Sequence, residues 1–200
     1  MNVHVAPRAP GTSTIAGEGF PRRAFTVADV FRMIEAGVIG DSEKFELVEG
    51  EILPMSPEGA PHLKAKMRVN RFLVSATTET VNVMPDATLY LADDTFVEPD
   101  FYLWPAAVPI ERLRGVDLHL VVELADSSLG RDLKLKSAIY AANLVPEYWV
   151  VDLPARTVVV HRSPDQTGYH QVTRHAASET LTPLSLPELA FRLADHLDPL

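Results

Sequence analysis

Two stretches decide how this chain folds: Leu118-His-Leu-Val-Val-Glu-Leu124, and Asp132-Leu-Lys-Leu-Lys-Ser-Ala-Ile-Tyr140 a short loop later. The first is apolar almost without interruption, the composition of a strand covered on both faces at the centre of a sheet. Its exception is Glu123. A carboxylate in such a run is costly unless a cation, a hydrogen-bond network or a metal answers it. The second stretch predicts a helix over Arg131–Asn143. At about 100° per residue, Asp132, Lys136 and Tyr140 form one stripe, with Leu135 and Ile139 beside it at the edge of the buried arc and Lys134 pointing elsewhere. Lys136 is thus set to lay its stem over the core and reach toward the strand carrying Glu123.

Working outward, Glu147-Tyr-Trp-Val-Val-Asp152 is a second buried strand, and Thr157–His161 with Tyr169–Thr173 forms a hairpin. Upstream, Thr26-Val-Ala-Asp29 is a capping-box start with Asp in the usual place of Glu or Gln; Val30, Phe31 and Ile34 supply the apolar stripe and Gly37 the stop. Phe45 to Met55 alternates apolar and acidic residues around Glu49-Gly50, as a hairpin or a bulged strand does. From His62 to about Thr78, Leu63, Met67, Phe72, Leu73 and Ala76 recur at helical spacing. Strands are expected at Val81–Met84, Thr88–Leu91 and Phe96–Leu103, and an amphipathic helix at Leu186–Leu197. The order gives a mixed α/β domain over residues 24–200. Residues 1–23, with Pro7, Pro10, Pro21, Gly11, Gly17 and Gly19 and no apolar period, are expected to form a flexible arm.

The 200 residues are 46% hydrophobic and 22% charged, enough apolar material for a core. Without cysteine, the chain can have no disulfide, thiolate zinc site, iron–sulfur cluster or cysteine nucleophile. No apolar run suits a membrane span or a secretory signal, so a cytoplasmic location is expected. The net charge of -9 excludes a generally polyanion-binding surface and confines any nucleic-acid contact to a local basic patch. Lys64, Arg68 and Arg71 make such a stripe at helical spacing, equally the pattern of a solvated helix face. Tyr148-Trp149 fits core packing better than a stacking platform. His170 and His175 fit the surface. No nucleophile elbow accompanies Ser127 and Ser128, and no phosphate-binding glycine loop is present.

Asp100, after Pro99 in an apolar-leaning run, is the second carboxylate in an unusual setting. Two carboxylates on neighbouring strands suit a hard divalent cation, and a lysine beside them completes an apparatus for phosphodiester hydrolysis. Two plainer readings stand against this: Asp100 ends a strand while Glu123 pairs with a nearby cation, and Asp132–Lys136 is a surface pair one turn apart.

Glu46-Leu-Val-Glu-Gly-Glu-Ile52, His62, Glu98-Pro-Asp100, Leu120-Val-Val-Glu-Leu-Ala-Asp-Ser-Ser128, Asp132-x-x-x-Lys136-x-x-x-Tyr140 and Val145-Pro-Glu-Tyr-Trp-Val-Val-Asp152 together resemble the Uma family of restriction-endonuclease-like bacterial proteins. The resemblance runs from about Phe25 to His161 in the family's block order. It implies the PD-(D/E)xK nuclease fold, a central mixed sheet flanked by helices. It also implies Asp100 and Glu123 as metal ligands, with the Leu124 carbonyl as a third, Glu46 as an N-terminal acidic partner, and His62 in a supporting place. The superfamily's lysine position falls at Ala125; in the family a helix lysine substitutes, and Lys136 matches it, with Asp132 and Tyr140 in support. The family's Ser-Pro-Ser-Thr loop is degenerate here as Ala125-Asp-Ser-Ser128.

Two functions follow as expectations. One is a DNA endonuclease dependent on Mg²⁺ or Mn²⁺, with Glu46, Asp100, Glu123 and Lys136 at its centre, acting as a homodimer where two cuts are needed. The other is a catalytically inactive module that keeps the fold to bind DNA or a protein partner; the net charge of -9 leans that way.

Overall fold

A computed structural model describes residues 13–15, 21–40 and 42–197. The chain divides into two compact units, one of residues 1–57 with 88–98 and the other of 58–87 with 99–200.

In the first unit, β1 (Ser13–Ile15) pairs antiparallel with β2 (Pro21–Arg23). The rest of the arm expected over 1–23 lies outside the described residues. Helix α1 (Val27–Glu35) starts as its sequence dictates: Thr26 Oγ1 accepts the Asp29 N–H, and Asp29 accepts the Thr26 N–H. Gly37, at φ 69°, follows the last turn as a left-handed stop. Phe31 departs from expectation: Val30 is buried, but Phe31 is 45% exposed. β3 (Phe45–Val48) and β4 (Glu51–Pro54) form the expected hairpin, with Glu49 and Gly50 both at positive φ. They join β6 (Leu89–Ala92) and β7 (Thr95–Val97) in an antiparallel sheet ordered β4-β3-β7-β6.

The second unit is built on a six-stranded sheet. Its strands are β5 (Val81–Pro85), β8 (Phe101–Pro105), β9 (Leu120–Ala125), β10 (Glu147–Asp152), β11 (Thr157–Asp165) and β12 (Gly168–Ala176), in the order β12-β11-β10-β9-β8-β5. β9 and β10 run parallel, and their neighbours pair antiparallel. Every residue of β9 and β10 is buried, as their near-continuous apolar runs require. Between them the chain crosses over through α3 (Leu129–Arg131), a π-helical turn (Asp132–Lys136) and α4 (Ser137–Ala142). The expected helix is therefore real but not uniformly α, and Leu135 is 37% exposed.

Leu120, Val122 and Leu124 point to one face of β9, where they pack with Trp149, Val151, Val158 and Val160 against Ala65, Val69 and Leu73 of α2 (Ala60–Ala76). Here the helix presents a face other than the expected one. Leu63 and Met67 are 46% and 68% exposed, while Lys66 is buried with Ala65, Val69 and Leu73. Both stripes have helical spacing; carboxylates below the helix draw in the one that carries Lys66.

Two further expectations are corrected. Phe96–Leu103 is not one strand: it breaks at Glu98-Pro-Asp100, with β7 and β8 in different sheets. Proline has no N–H for a ladder, which accounts for a break there. Leu186–Leu197 is not the expected amphipathic helix; its only helical part is a 3-10 turn at Leu193–Asp195. Pro187 interrupts it, Leu181 and Phe191 exchange backbone hydrogen bonds, and the alternating Leu189, Phe191 and Leu193 all reach the core. A buried carboxylate anchors this tail. Glu147 Oε1 accepts from Arg162 Nη2 at 2.7 Å and Trp149 Nε1 at 2.6 Å, and its Oε2 accepts from Leu184 N. Arg162→Ala leaves that carboxylate without its cation. We expect a loss of about 2–3 kcal/mol in urea unfolding; a variant within about 0.5 kcal/mol of wild type, the usual range for surface changes, would remove this anchor from the account.

Candidate active site

Residue 100 lies at the start of β8. Phe101 pairs with Val122, so Asp100 arrives beside Glu123 and Leu124 of β9. Its side chain takes over where the β8 ladder stops: Asp100 Oδ2 accepts the Leu124 N–H at 2.7 Å. Glu123 lies on the opposite face of β9 from Leu124, where the crossover helix covers it. Lys136 Nζ donates to Glu123 Oε1 at 2.7 Å, and the Tyr140 hydroxyl donates to the same oxygen at 3.0 Å. Asp132, Lys136 and Tyr140 are all buried, as their shared stripe predicts. Asp132 Oδ2 accepts from Ser128 Oγ at 2.5 Å, so the degenerate loop still supplies one hydroxyl to this region.

The other oxygen of Asp100 faces α2. Its Oδ1 receives His62 Nε2 at 2.8 Å and Lys66 Nζ at 2.7 Å. Lys66 also reaches Glu58 Oε1 at 2.5 Å and Asp86 Oδ1 at 2.6 Å. Neither Glu58 nor Asp86 stands out in the sequence, and Lys66 reads there as one more basic residue of the helix, on a face other than the apolar one, with Lys64, Arg68 and Arg71. The available signal was the four-residue spacing of His62 and Lys66, which puts both on one helical face.

Asp100, Glu123, Leu124, Lys136, Tyr140, Asp132 and His62 thus converge in the second unit. Glu46 belongs to the first unit, on β3, where its Oε1 accepts the Glu98 N–H at 3.0 Å. Lys64, Arg68 and Arg71 are exposed on α2, and Arg68 Nη1 donates to the His196 carbonyl at 3.5 Å. Tyr148 and Trp149 are buried, so packing accounts for both.

The two central carboxylates differ electrostatically. Burial alone would raise Asp100, but the hydrogen bonds and charges of His62 and Lys66 win and hold it below the usual carboxylate range. Glu123 is pushed up to about 8, by burial first; Lys136 works against the shift, and Asp100 and Asp132 add to it. Asp132 is also raised, by burial that Ser128 and Lys136 only partly offset. For His62 and Lys66, burial opposes the charged forms, yet their carboxylate partners leave both raised.

The family model Uma2, described as "Putative restriction endonuclease", matches residues 27–194. The chain belongs to this family. A crystal structure of "a putative nuclease belonging to DUF820" from Anabaena variabilis ATCC 29413 superposes on this Uma2 chain with a TM-score of 0.69. The match covers 86% of this chain and 97% of that one at 13% identity. It shows the fold, which is restriction-endonuclease-like. A cryo-EM structure of a DrdV–DNA complex aligns at a TM-score of 0.31 and 11% identity, over 56% of this chain and 12% of the other, too slight a likeness to bear on either. No curated protein matches the Uma2 chain. Among the described residues no helix is long and apolar enough to cross a membrane.

A raised carboxylate has a signature in stability. Between the ordinary value of 4.5 and about 8, the unfolded chain has released the Glu123 proton while the folded chain retains it. Stability therefore falls as pH rises through that window. Glu123→Gln lacks this dependence. Urea unfolding of both proteins from pH 5 to pH 8 should show the wild type losing ground steadily to the variant; a constant gap would mean that Glu123 is ionised throughout.

Proposed function

We propose that this Uma2 member is a divalent-metal-dependent DNA endonuclease, with Asp100 and Glu123 as ligands of a Mg²⁺ or Mn²⁺ ion. The observation that carries the reading is the arrangement of the two carboxylates. Asp100 is fixed by the Leu124 amide at 2.7 Å, next to a Glu123 held by a buried lysine at 2.7 Å.

The donor set fits such an ion. Carboxylate oxygens on neighbouring strands are the hard ligands that Mg²⁺ and Mn²⁺ take. The Leu124 carbonyl is a suitable third, because the N–H and C=O of one strand residue face the same neighbour, and the Leu124 N–H is turned toward Asp100. Lys136 and Tyr140 both bind Oε1 of Glu123, which fixes the direction of the other oxygen. A divalent ion bound here supplies an activated water and offsets charge on the phosphoryl oxygens. Around it, Lys136 keeps an ammonium where negative charge develops, and Tyr140 orients Glu123. Asp132 supports the helix turn, and His62 holds Asp100. Lys64, Arg68 and Arg71 are the proposed contacts to the DNA backbone, a local cationic face on a chain of net charge -9. The part proposed for Glu46 rests on its family position.

The same net charge favours the second reading, a non-catalytic module of this fold. Two measurements separate them. Purified wild type should cleave plasmid DNA only with Mg²⁺ or Mn²⁺, and Asp100→Ala and Lys136→Ala should each fall by about 100-fold or more. Calorimetric titration should show Mn²⁺ bound by wild type and lost in Glu123→Gln. Equal cleavage by all three nuclease samples would point to another site, and no metal binding by wild type would favour the module.

A further inference from the structure

The surroundings of Lys66 carry an inference that rests on the proposed metal site and goes beyond it. One atom each from Glu58, His62 and Asp100 lies within 4.8 Å of the other two, two carboxylates and an imidazole around one point. A transition-metal ion takes such a donor set readily. A cation already stands there. Lys66 Nζ lies 2.5 Å from Glu58 Oε1, 2.6 Å from Asp86 Oδ1 and 2.7 Å from Asp100 Oδ1, and its side chain is only 8% exposed. Three donors on an ammonium meet three carboxylates.

Asp100 faces both ways. Oδ2 is on the Leu124 side, and Oδ1 is on the side of Glu58, His62 and Lys66. A carboxylate between two cation positions is what a two-metal phosphodiesterase uses, with ions about 3.5–4 Å apart. Here the second position is filled by the chain itself. An ammonium and a divalent ion repel strongly at such range, so Lys66 disfavours an ion on the oxygens it holds.

We propose that Lys66 is a built-in replacement for a second divalent ion, which restricts the site to one metal. Removing the ammonium then opens a second ion site at Glu58, His62 and Asp100.

Mn²⁺ titration calorimetry on the full chain tests this with wild type, Lys66→Gln, Lys66→Met and Lys66→Gln combined with Glu58→Gln, each checked for folding by circular dichroism. Wild type should bind one ion, either Lys66 variant two, and the combined variant one again. Lys66 variants that bind no more ions than wild type would overturn the proposal. If wild type binds none while Lys66→Gln binds one ion that Glu58→Gln abolishes, the site of Asp100 and Glu123 fails and the role of Lys66 stands. Crystals of wild type soaked in Mn²⁺ need no variant to fold. Anomalous scattering should show no ion between Glu58 and Asp100, with Lys66 Nζ still on Asp100. A peak at that point overturns the proposal.

Discussion

A carboxylate in the middle of a fully buried strand constrains everything around it. Glu123 cannot be buried in β9 without a polar partner, and its own strand offers none, since its neighbours along the strand are apolar. Its partners come from the crossover. Placing Lys136 and Tyr140 on one stripe lets a single segment deliver both an ammonium and a hydroxyl to the same carboxylate oxygen. The π-helical turn from Asp132 to Lys136 occupies this place in the chain, as such turns often do at functional sites. The parallel pairing of β9 and β10 follows from the same segment, because parallel neighbours need a crossover and this one also covers the site.

Asp100 solves a different problem. It sits just before β8 begins, and each of its oxygens does separate work: one continues the ladder to Leu124, and the other gathers His62 and Lys66 from α2. The helix is therefore used on two faces. One carries the groups that fix Asp100 and the apolar residues that pack on β9, and the other exposes Lys64, Arg68 and Arg71. The contrast between a carboxylate held low and one pushed up to about 8 follows from this division: the Lys66 ammonium and the His62 ring meet Asp100, while burial dominates at Glu123.

Local signals carried much of this. The capping box at Thr26, the turn at Glu49-Gly50, the continuous apolar runs of β9 and β10, and the Asp132–Lys136–Tyr140 stripe each depend on a few neighbouring residues, and each appears in the structure. What was lost depends on distant partners. Lys66 looked like a surface lysine because lysines usually are; only the carboxylates of Glu58, Asp86 and Asp100, brought together from three segments, make its burial favourable. Leu63 and Met67 looked like core for the converse reason. The tail from Leu186 had helical spacing on paper, but Pro187 and the bridge between Leu181 and Phe191 select an extended path. Ser128 could not be assigned a partner until the turn brought Asp132 to it.

The central claim is that the buried pair of Glu123 and Lys136 is energetically coupled and holds the crossover helix on β9. A double-mutant cycle of Glu123→Gln, Lys136→Met and the combined variant, followed by urea unfolding, tests it directly. Lys136→Met leaves Glu123 with the Tyr140 hydroxyl but no ammonium, and Glu123→Gln leaves the buried ammonium without its carboxylate, a loss of about 3 kcal/mol for the charged survivor. The combined variant should recover most of that loss, with a coupling of about 1–3 kcal/mol between the two sites. Losses that simply add would show two side chains that tolerate burial independently, and the pair would no longer explain why this helix lies on this strand.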